Sequence, residues 1–264
     1  MSLNIALVII SCDKYKDTWE PFFTCINKFW PSSDMKKYLV NNEETDVNYD
    51  VSIINTGPEI SWSSKVRYAL TKISEDYIFL LLDDYFFDSS VNEQNLYSIF
   101  DFIENLDIDY LSFEQAKAKE EFGNSLIAKI SLRNIYGKVL QPAIWKKSYL
   151  QKCLYDDDFS AWEFEGRQKN KSEIRVIGND CCVKKRLISW QNGVLQGKWY
   201  PTTIKKLNAI GITINTENRE ILSGAALFKY RMKFFFAKHL PLFLALPARK
   251  TLERIGFKFV TKRN

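Results

Sequence analysis

Histidine is almost absent from this 264-residue chain: the single one, His239, lies far from any other metal-binding residue type. That largely removes zinc sites and the Ser–His–Asp and Cys–His forms of nucleophilic catalysis. Any metal has to be held by oxygen, which points to Mg²⁺ or Mn²⁺. The five cysteines, Cys12, Cys25, Cys153, Cys181 and Cys182, contain no C-x-x-C pair, and their odd number argues against a disulfide framework. No run of about 18 uncharged apolar residues occurs, so no membrane-spanning helix is expected. Met1–Ile10 has no basic leader and reads as a first strand rather than a signal peptide. A reducing, cytoplasmic location is the expectation.

What is present is unevenly distributed. The net charge of +5 conceals a tail, residues 225–264, with ten Lys or Arg and one acid, Glu253, a balance of +9. Residues 1–224 are left at −4, so the basic character does not make the main domain a nucleic-acid binder. Aromatic residues make up 15% of the chain, enough to furnish a cleft that stacks on bases or sugars as well as a core.

Asn4–Ile10 is continuously apolar, the pattern of a strand buried on both faces. Trp19, Phe22, Phe23, Ile26 and Phe29 repeat at helical spacing up to Pro31. Short strands are expected at Tyr38–Val40 and Val51–Ile54. A helix capped by Ser61 or Ser63 then carries Val66, Ala69, Leu70 and Ile73 on one face. Tyr77–Leu82 is a fully apolar strand cut off by Asp83-Asp84, and Ser90-Val91-Asn92-Glu93 has capping-box spacing before another helix. The order β-α-β-β-α-β-α predicts an α/β fold with a mostly parallel sheet flanked by helices. Further strands are expected at Tyr110–Phe113, Leu126–Leu132 and Ile174–Ile177. In such sheets ligands lie at the carboxyl ends of the strands, where Ser11–Tyr15, Asn41–Glu44 and Asp83-Asp84 fall.

Two adjacent acids at the end of a buried strand repel one another, and desolvation worsens the cost. A divalent cation bridging to a diphosphate would offset it. The strand order, the Ser11-Cys12-Asp13 loop and the acid pair after a Leu-rich strand resemble GT-A (Rossmann-like) glycosyltransferases, over roughly residues 3–200. The narrower resemblance is to bacterial enzymes that build capsule or lipopolysaccharide glycans. The usual Asp-x-Asp of that fold is replaced here by Asp83-Asp84-Tyr85. The resemblance implies that Asp84 is the better metal ligand, with Asp83 beside it also holding the ribose or donor sugar. It also implies that Ser11, Cys12 and Asp13 contact the nucleotide, that Asn41, Asn42 and Glu43 meet its base or ribose, and that Lys65 and Arg67 border it. The cofactor implied is Mn²⁺ or Mg²⁺, and the donor a nucleotide sugar, a UDP-sugar first among them.

Ser160–Gly166 holds two further acids. An inverting transferase needs a carboxylate to take a proton from the acceptor hydroxyl. Ser160-x-x-Glu163 is also a capping-box spacing, so Glu165 is the first candidate base and Glu163 the second. Gly197-Lys198-Trp199 could form a lid over donor phosphates. The division expected is a catalytic domain over 1–204 and an amphipathic, cationic helical extension over 205–264. Cations interleaved with Phe and Leu suit the surface of an anionic bilayer, a peripheral place at the inner face of the cell membrane, and a lipid-linked glycan acceptor in surface polysaccharide synthesis. Packing of that extension on protein is the other reading. Two other functions share parts of the pattern. A nucleotidyltransferase normally opens with a Gly-rich phosphate loop, and residues 11–17 contain no glycine. A non-enzymatic, membrane-associated carbohydrate-binding protein would have no need of the acid pair.

Overall fold

A computed structural model describes residues 3–239, apart from 32, 122, 124 and 171, with side chains followed to residue 232. The expected strand β1 (Ile5–Ile10) leads through a turn of 3₁₀ helix into α1 (Lys16–Phe29). Then come β2 (Lys37–Asn41), β3 (Ser52–Asn55), α2 (Trp62–Lys72) and β4 (Tyr77–Leu82). The Ser61 hydroxyl caps α2 by accepting from the Ser64 N–H at 3.1 Å, as its position predicts. A short strand β5 (Tyr85–Phe87) follows the acid pair directly. The next helix, α3 (Glu93–Asn105), is capped by Asn92 and not by Ser90, so the capping-box reading there is corrected.

The middle of the chain is more strand-rich than its periodicity suggests. It contains β6 (Tyr110–Ser112), β7 (Lys119–Glu120), β8 (Ile127–Ile130) and β9 (Ala143–Lys146), then α4 (Lys147–Leu154) and α5 (Ala161–Arg167). The strand expected at Ile174–Ile177 is not formed. It lies instead at β10 (Asp180–Val183), where Cys181 and Cys182 are fully buried. β11 (Trp190–Asn192), β12 (Val194–Leu195) and β13 (Lys198–Trp199) precede α6 (Pro201–Ala209) and α7 (Gly224–His239). The expected boundary at 204/205 falls inside α6, and Leu207, Ile212 and Ile214 sit in the same core as β1. The part of the expected amphipathic, cationic extension that spans 240–264 lies outside the described residues.

Nine strands form one sheet in the order β3-β2-β1-β4-β9-β6-β10-β8-β7, in which β8 and β9 run opposite to the other seven. The sheet buries both faces. Leu7, Ile9, Phe79 and Leu81 pack against α1 and α3 on one side. Ala6, Val8, Ile78 and Leu80 pack against α2, α4 and α5 on the other. That double burial is why β1 and β4 are apolar at every position rather than alternating. Among the described residues no helix is long and apolar enough to cross a membrane.

Candidate functional site

β1, β2, β3 and β4 are mutually parallel, so their carboxyl ends share one edge of the sheet. Ile10 and Leu82 are register partners, which sets Ser11 beside Asp83. The Ser11 hydroxyl donates a short hydrogen bond to Asp83 Oδ2 and accepts from Trp19 Nε1 at 2.7 Å. The loop after β1 is stitched to the end of β2. Asp13 accepts from the Asn42 N–H at 3.1 Å and from the Glu43 N–H at 3.0 Å. Lys65 reaches in from α2, and its Nζ donates to the Ser11 carbonyl at 2.7 Å and to Asn42 Oδ1 at 3.1 Å. Ser11, Asp13, Asn42, Glu43, Lys65 and Asp83 are thus one connected polar cluster, with Cys12 in its loop.

The electrostatics of this cluster are those of a site short of positive charge. Asp83 is 5% exposed. Burial, and secondly the Asp84 charge, push its carboxyl up to about 8, against the lowering effect of the Ser11 hydroxyl. Burial raises Asp84 to about 6, opposed by a hydrogen bond from the Val194 backbone. Lys65 is lowered by burial, and the Cys12 thiol is raised by burial and then by Asp83. The cost of ionising both acids in a dry pocket is what an added cation would relieve.

Two of the expected residues have other tasks. Asn41 is fully buried and ties β2 to its surroundings, donating to the Glu44 carbonyl at 2.8 Å and accepting from Asn55 Nδ2 at 2.9 Å. Arg67 spends its guanidinium on the loop before α5, donating to the Tyr155 carbonyl at 2.9 Å, the Asp157 carbonyl at 2.7 Å and Asp158 Oδ1 at 3.0 Å. It braces α2 and is not part of the hydrogen-bonded cluster around Asp83.

The two glutamates separate by role. Glu163 is exposed and closes the capping box of α5, accepting from the Ser160 N–H at 2.7 Å, which lowers its pKa. Glu165 is partly buried, accepts from the Leu140 N–H at 2.8 Å, and is raised by desolvation. Its charge is felt at Tyr85, the residue that follows the acid pair. The Tyr85 hydroxyl in turn accepts from Gln141 Nε2 at 3.2 Å.

Arg219 is absent from the sequence reading. Its guanidinium lies over the Tyr15 ring at 4.2 Å, donates to the carbonyls of Lys14 and Gly197 at 3.0 and 3.1 Å, and lowers both Asp83 and Asp84. No local motif signals it, because most of its partners lie 202 to 205 residues away, around the loop after β1. It acts together with a two-residue hairpin turn at Gln196-Gly197, where φ is +54° and +75°, values that suit glycine at the second place. The Gly193 N–H donates to the Asp84 carbonyl at 2.6 Å and anchors that hairpin beside the acids. Trp199, expected as a ring laid over a ligand, is instead fully buried against Phe86, and Lys198 pairs with Glu220.

No protein-family profile and no curated protein matches the chain. Among solved structures it is similar to Staphylococcus aureus TarS 1–349, at 13% identity over 70% of this chain and 59% of that one, with a TM-score of 0.45. The same protein in complex with UDP-GlcNAc matches at 14% identity over 75% of this chain and 60% of that one, with a TM-score of 0.47. HddC from Yersinia pseudotuberculosis matches at 11% identity over 73% of this chain and 93% of that one, with a TM-score of 0.44. The chain spans about three fifths of the TarS fragment.

Proposed function

We propose that this protein is a metal-dependent glycosyltransferase that moves a sugar from a nucleotide sugar to a glycan acceptor in surface polysaccharide synthesis. The observation that carries the reading is the desolvated pair Asp83 and Asp84, set where the loops after β1, β2 and β4 meet, with Arg219 as the cation whose charge acts on both. Two acids whose ionisation burial opposes, side by side at the ligand edge of the sheet, suit a site completed by a cation.

The donor set suits a hard cation. Among the described residues no three His, Cys, Asp or Glu side chains gather as a ready-made cage. Two carboxylates would hold Mn²⁺ or Mg²⁺ together with diphosphate oxygens and water. Asp84, the more accessible of the two, is the principal ligand, and Asp83, already engaged by Ser11, orients the donor. Once bound, the cation would neutralise charge on the departing diphosphate. Ser11, Cys12, Asp13, Asn42 and Glu43 form the floor on which the nucleotide rests, and Lys65 keeps the ends of β1 and β2 together beneath it. Glu165 accepts the acceptor hydroxyl proton. Its raised affinity for a proton and its contact with the Leu140 N–H suit a positioned general base in an inverting reaction. The ten cations of residues 225–264 would hold the protein at an anionic membrane face, beside a lipid-linked acceptor, by charge.

The test is thermal unfolding with UDP, GDP, CMP and dTDP, and with the triphosphates UTP, GTP, CTP and dTTP, each with and without Mn²⁺, on the native chain and on Asp84→Ala. A stabilisation by one nucleotide that requires Mn²⁺ and vanishes in the variant is expected. Stabilisation only by a nucleoside triphosphate would favour a nucleotidyltransferase, and none by any nucleotide would sink the enzymatic reading.

A further inference from the structure

A hollow of about 400 Å³ lies against β11 and does not belong to the acid-pair cluster. Arg186, Trp190, Gln191, Tyr200, Lys206 and Tyr230 line it. Its walls carry two cations and no carboxylate, and among the described residues neither Arg186 nor Lys206 forms an ion pair. Arg186 is preorganised. It lies over the Trp190 ring at 5.0 Å and spends two N–H groups on the carbonyls of Ile188 and Trp190, at 3.3 and 3.2 Å. A guanidinium has five N–H donors, so others remain for a ligand. Uncompensated cations converging on a concave surface select an anion.

The rest of the lining narrows what carries that anion. Gln191 donates its amide to Asp88 Oδ2 at 2.6 Å, which leaves its carbonyl oxygen to accept from a hydroxyl. Tyr200 and Tyr230 add half-buried rings with polar tips, which suit the alternating apolar faces and hydroxyl edges of a sugar. Amide, ring and cation together fit a polyhydroxylated ligand bearing an anionic group better than a bare ion.

The hollow also has a fixed relation to the acids. β11 pairs antiparallel with β5, with Asn192 opposite Tyr85, and the next residue, Gly193, binds the Asp84 carbonyl. Trp190 Nε1 donates to Gln141 Oε1 at 3.1 Å, and Gln141 donates to the Tyr85 hydroxyl. A ligand seated here therefore rests on a rigid ribbon that begins at the acid pair. We propose that this hollow is the acceptor-anchoring subsite, and that the acceptor is a glycan carrying phosphate or carboxylate groups. The role as acceptor subsite rests on the transferase reading; the binding of a sugar anion does not.

The test is calorimetric titration of the full chain with glucose 6-phosphate, glucuronate, glucose and inorganic phosphate. The comparison is with Lys206→Gln and with the Arg186→Gln/Lys206→Gln double variant. We expect one or both sugar anions to bind, the stronger identifying phosphate or carboxylate. Binding should weaken with added salt, at least threefold in Lys206→Gln and at least tenfold in the double variant. Lys206 is exposed, so its variant keeps the fold. Unchanged affinity in both variants would overturn the proposal. So would glucose binding as tightly as the sugar anions, or inorganic phosphate matching them. Vesicles rich in phosphatidylglycerol that bind through Arg186 and Lys206, while no sugar anion does, would reassign the hollow to the membrane. The thermal-unfolding screen with nucleotides and Mn²⁺ reports separately on the acid pair, so a failed transferase reading and a failed subsite are distinguishable.

Discussion

Arg219 reaches back 202 residues along the chain to bracket the Asp17 carboxylate, with Nη2 at 2.7 Å from one oxygen and Nε at 2.8 Å from the other. The two side chains are 8% and 7% exposed. The same guanidinium lies on Tyr15 and holds the Lys14 carbonyl, so one residue from the segment after α6 clamps the loop that carries Ser11–Asp13.

Removing one partner of a nearly buried pair leaves an uncompensated charge. Arg219→Ala is expected to cost about 3–5 kcal/mol of unfolding free energy, and the Asp17→Ala/Arg219→Ala double variant distinctly less. Arg219→Lys should not restore the wild-type value, since an ammonium cannot reproduce the two-pronged contact. Urea unfolding measures all three, and a single-variant cost below about 1 kcal/mol would show that the clamp is dispensable.

Asp83 makes the cation-free protein sensitive to pH. Its folded-state affinity for a proton lies far above that of an unfolded aspartate, so the folded chain binds the extra proton between about pH 4 and pH 8. Stability should fall as pH rises through that window, by up to about 1.4 kcal/mol per unit for one proton, with Asp84 adding to the slope below about pH 6. Asp83→Asn should flatten the profile and be more stable than the native chain at pH 9. Unfolding at pH 5 and pH 9 in the presence of a chelator decides it: equal slopes for the two proteins would contradict the assignment.

Glu163 and Glu165 are two residues apart and should behave oppositely. Glu163→Ala loses half of the α5 capping box and is expected to lower the thermal midpoint slightly with sugar transfer preserved. Glu165→Gln keeps a carbonyl oxygen for the Leu140 N–H, so the fold should hold, while turnover drops about a hundredfold or more. Nucleoside diphosphate release and thermal unfolding, measured side by side, separate the two. Reversed outcomes would move the base to Glu163.

Lys65→Met removes two hydrogen bonds from the floor of the site, leaving the Ser11 carbonyl and Asn42 Oδ1 without that donor. Nucleotide affinity should fall about tenfold or more, with about 1–3 kcal/mol lost in stability. Titration with the nucleotide identified by the unfolding screen reads it. Arg67→Met should loosen the 155–158 loop and lower stability while leaving nucleotide affinity close to native.

Much of the first hundred residues is legible in the chain itself. β1 and β4 are apolar throughout because both faces are covered, and α1 and α2 show their buried stripes directly. Parallel strands then oblige Ser11, Asn42 and Asp83 to share an edge. Beyond residue 110 the signal fades for a physical reason. β9 and β10 are four residues each, too short for periodicity, and β10 begins with a charged residue, Asp180. That aspartate is held inside by Lys138 at 2.9 Å and by the Tyr149 hydroxyl at 2.8 Å. Such pairings join residues 31 or 42 positions apart and leave no local trace.

The sequence by itself determined the α/β class, the shared direction of β1 to β4 and the position of the acid pair, because these follow from short-range hydrophobic patterning and the rule that parallel strands end together. Only the tertiary structure decided which side chains the acids meet. It turned Arg67 away to brace a loop, spent Glu163 on a helix cap, buried Trp199 and brought in Arg219 from the far end of the domain. Those choices depend on side-chain reach and on burial across the fold, and neither is a property of any stretch of the chain taken alone.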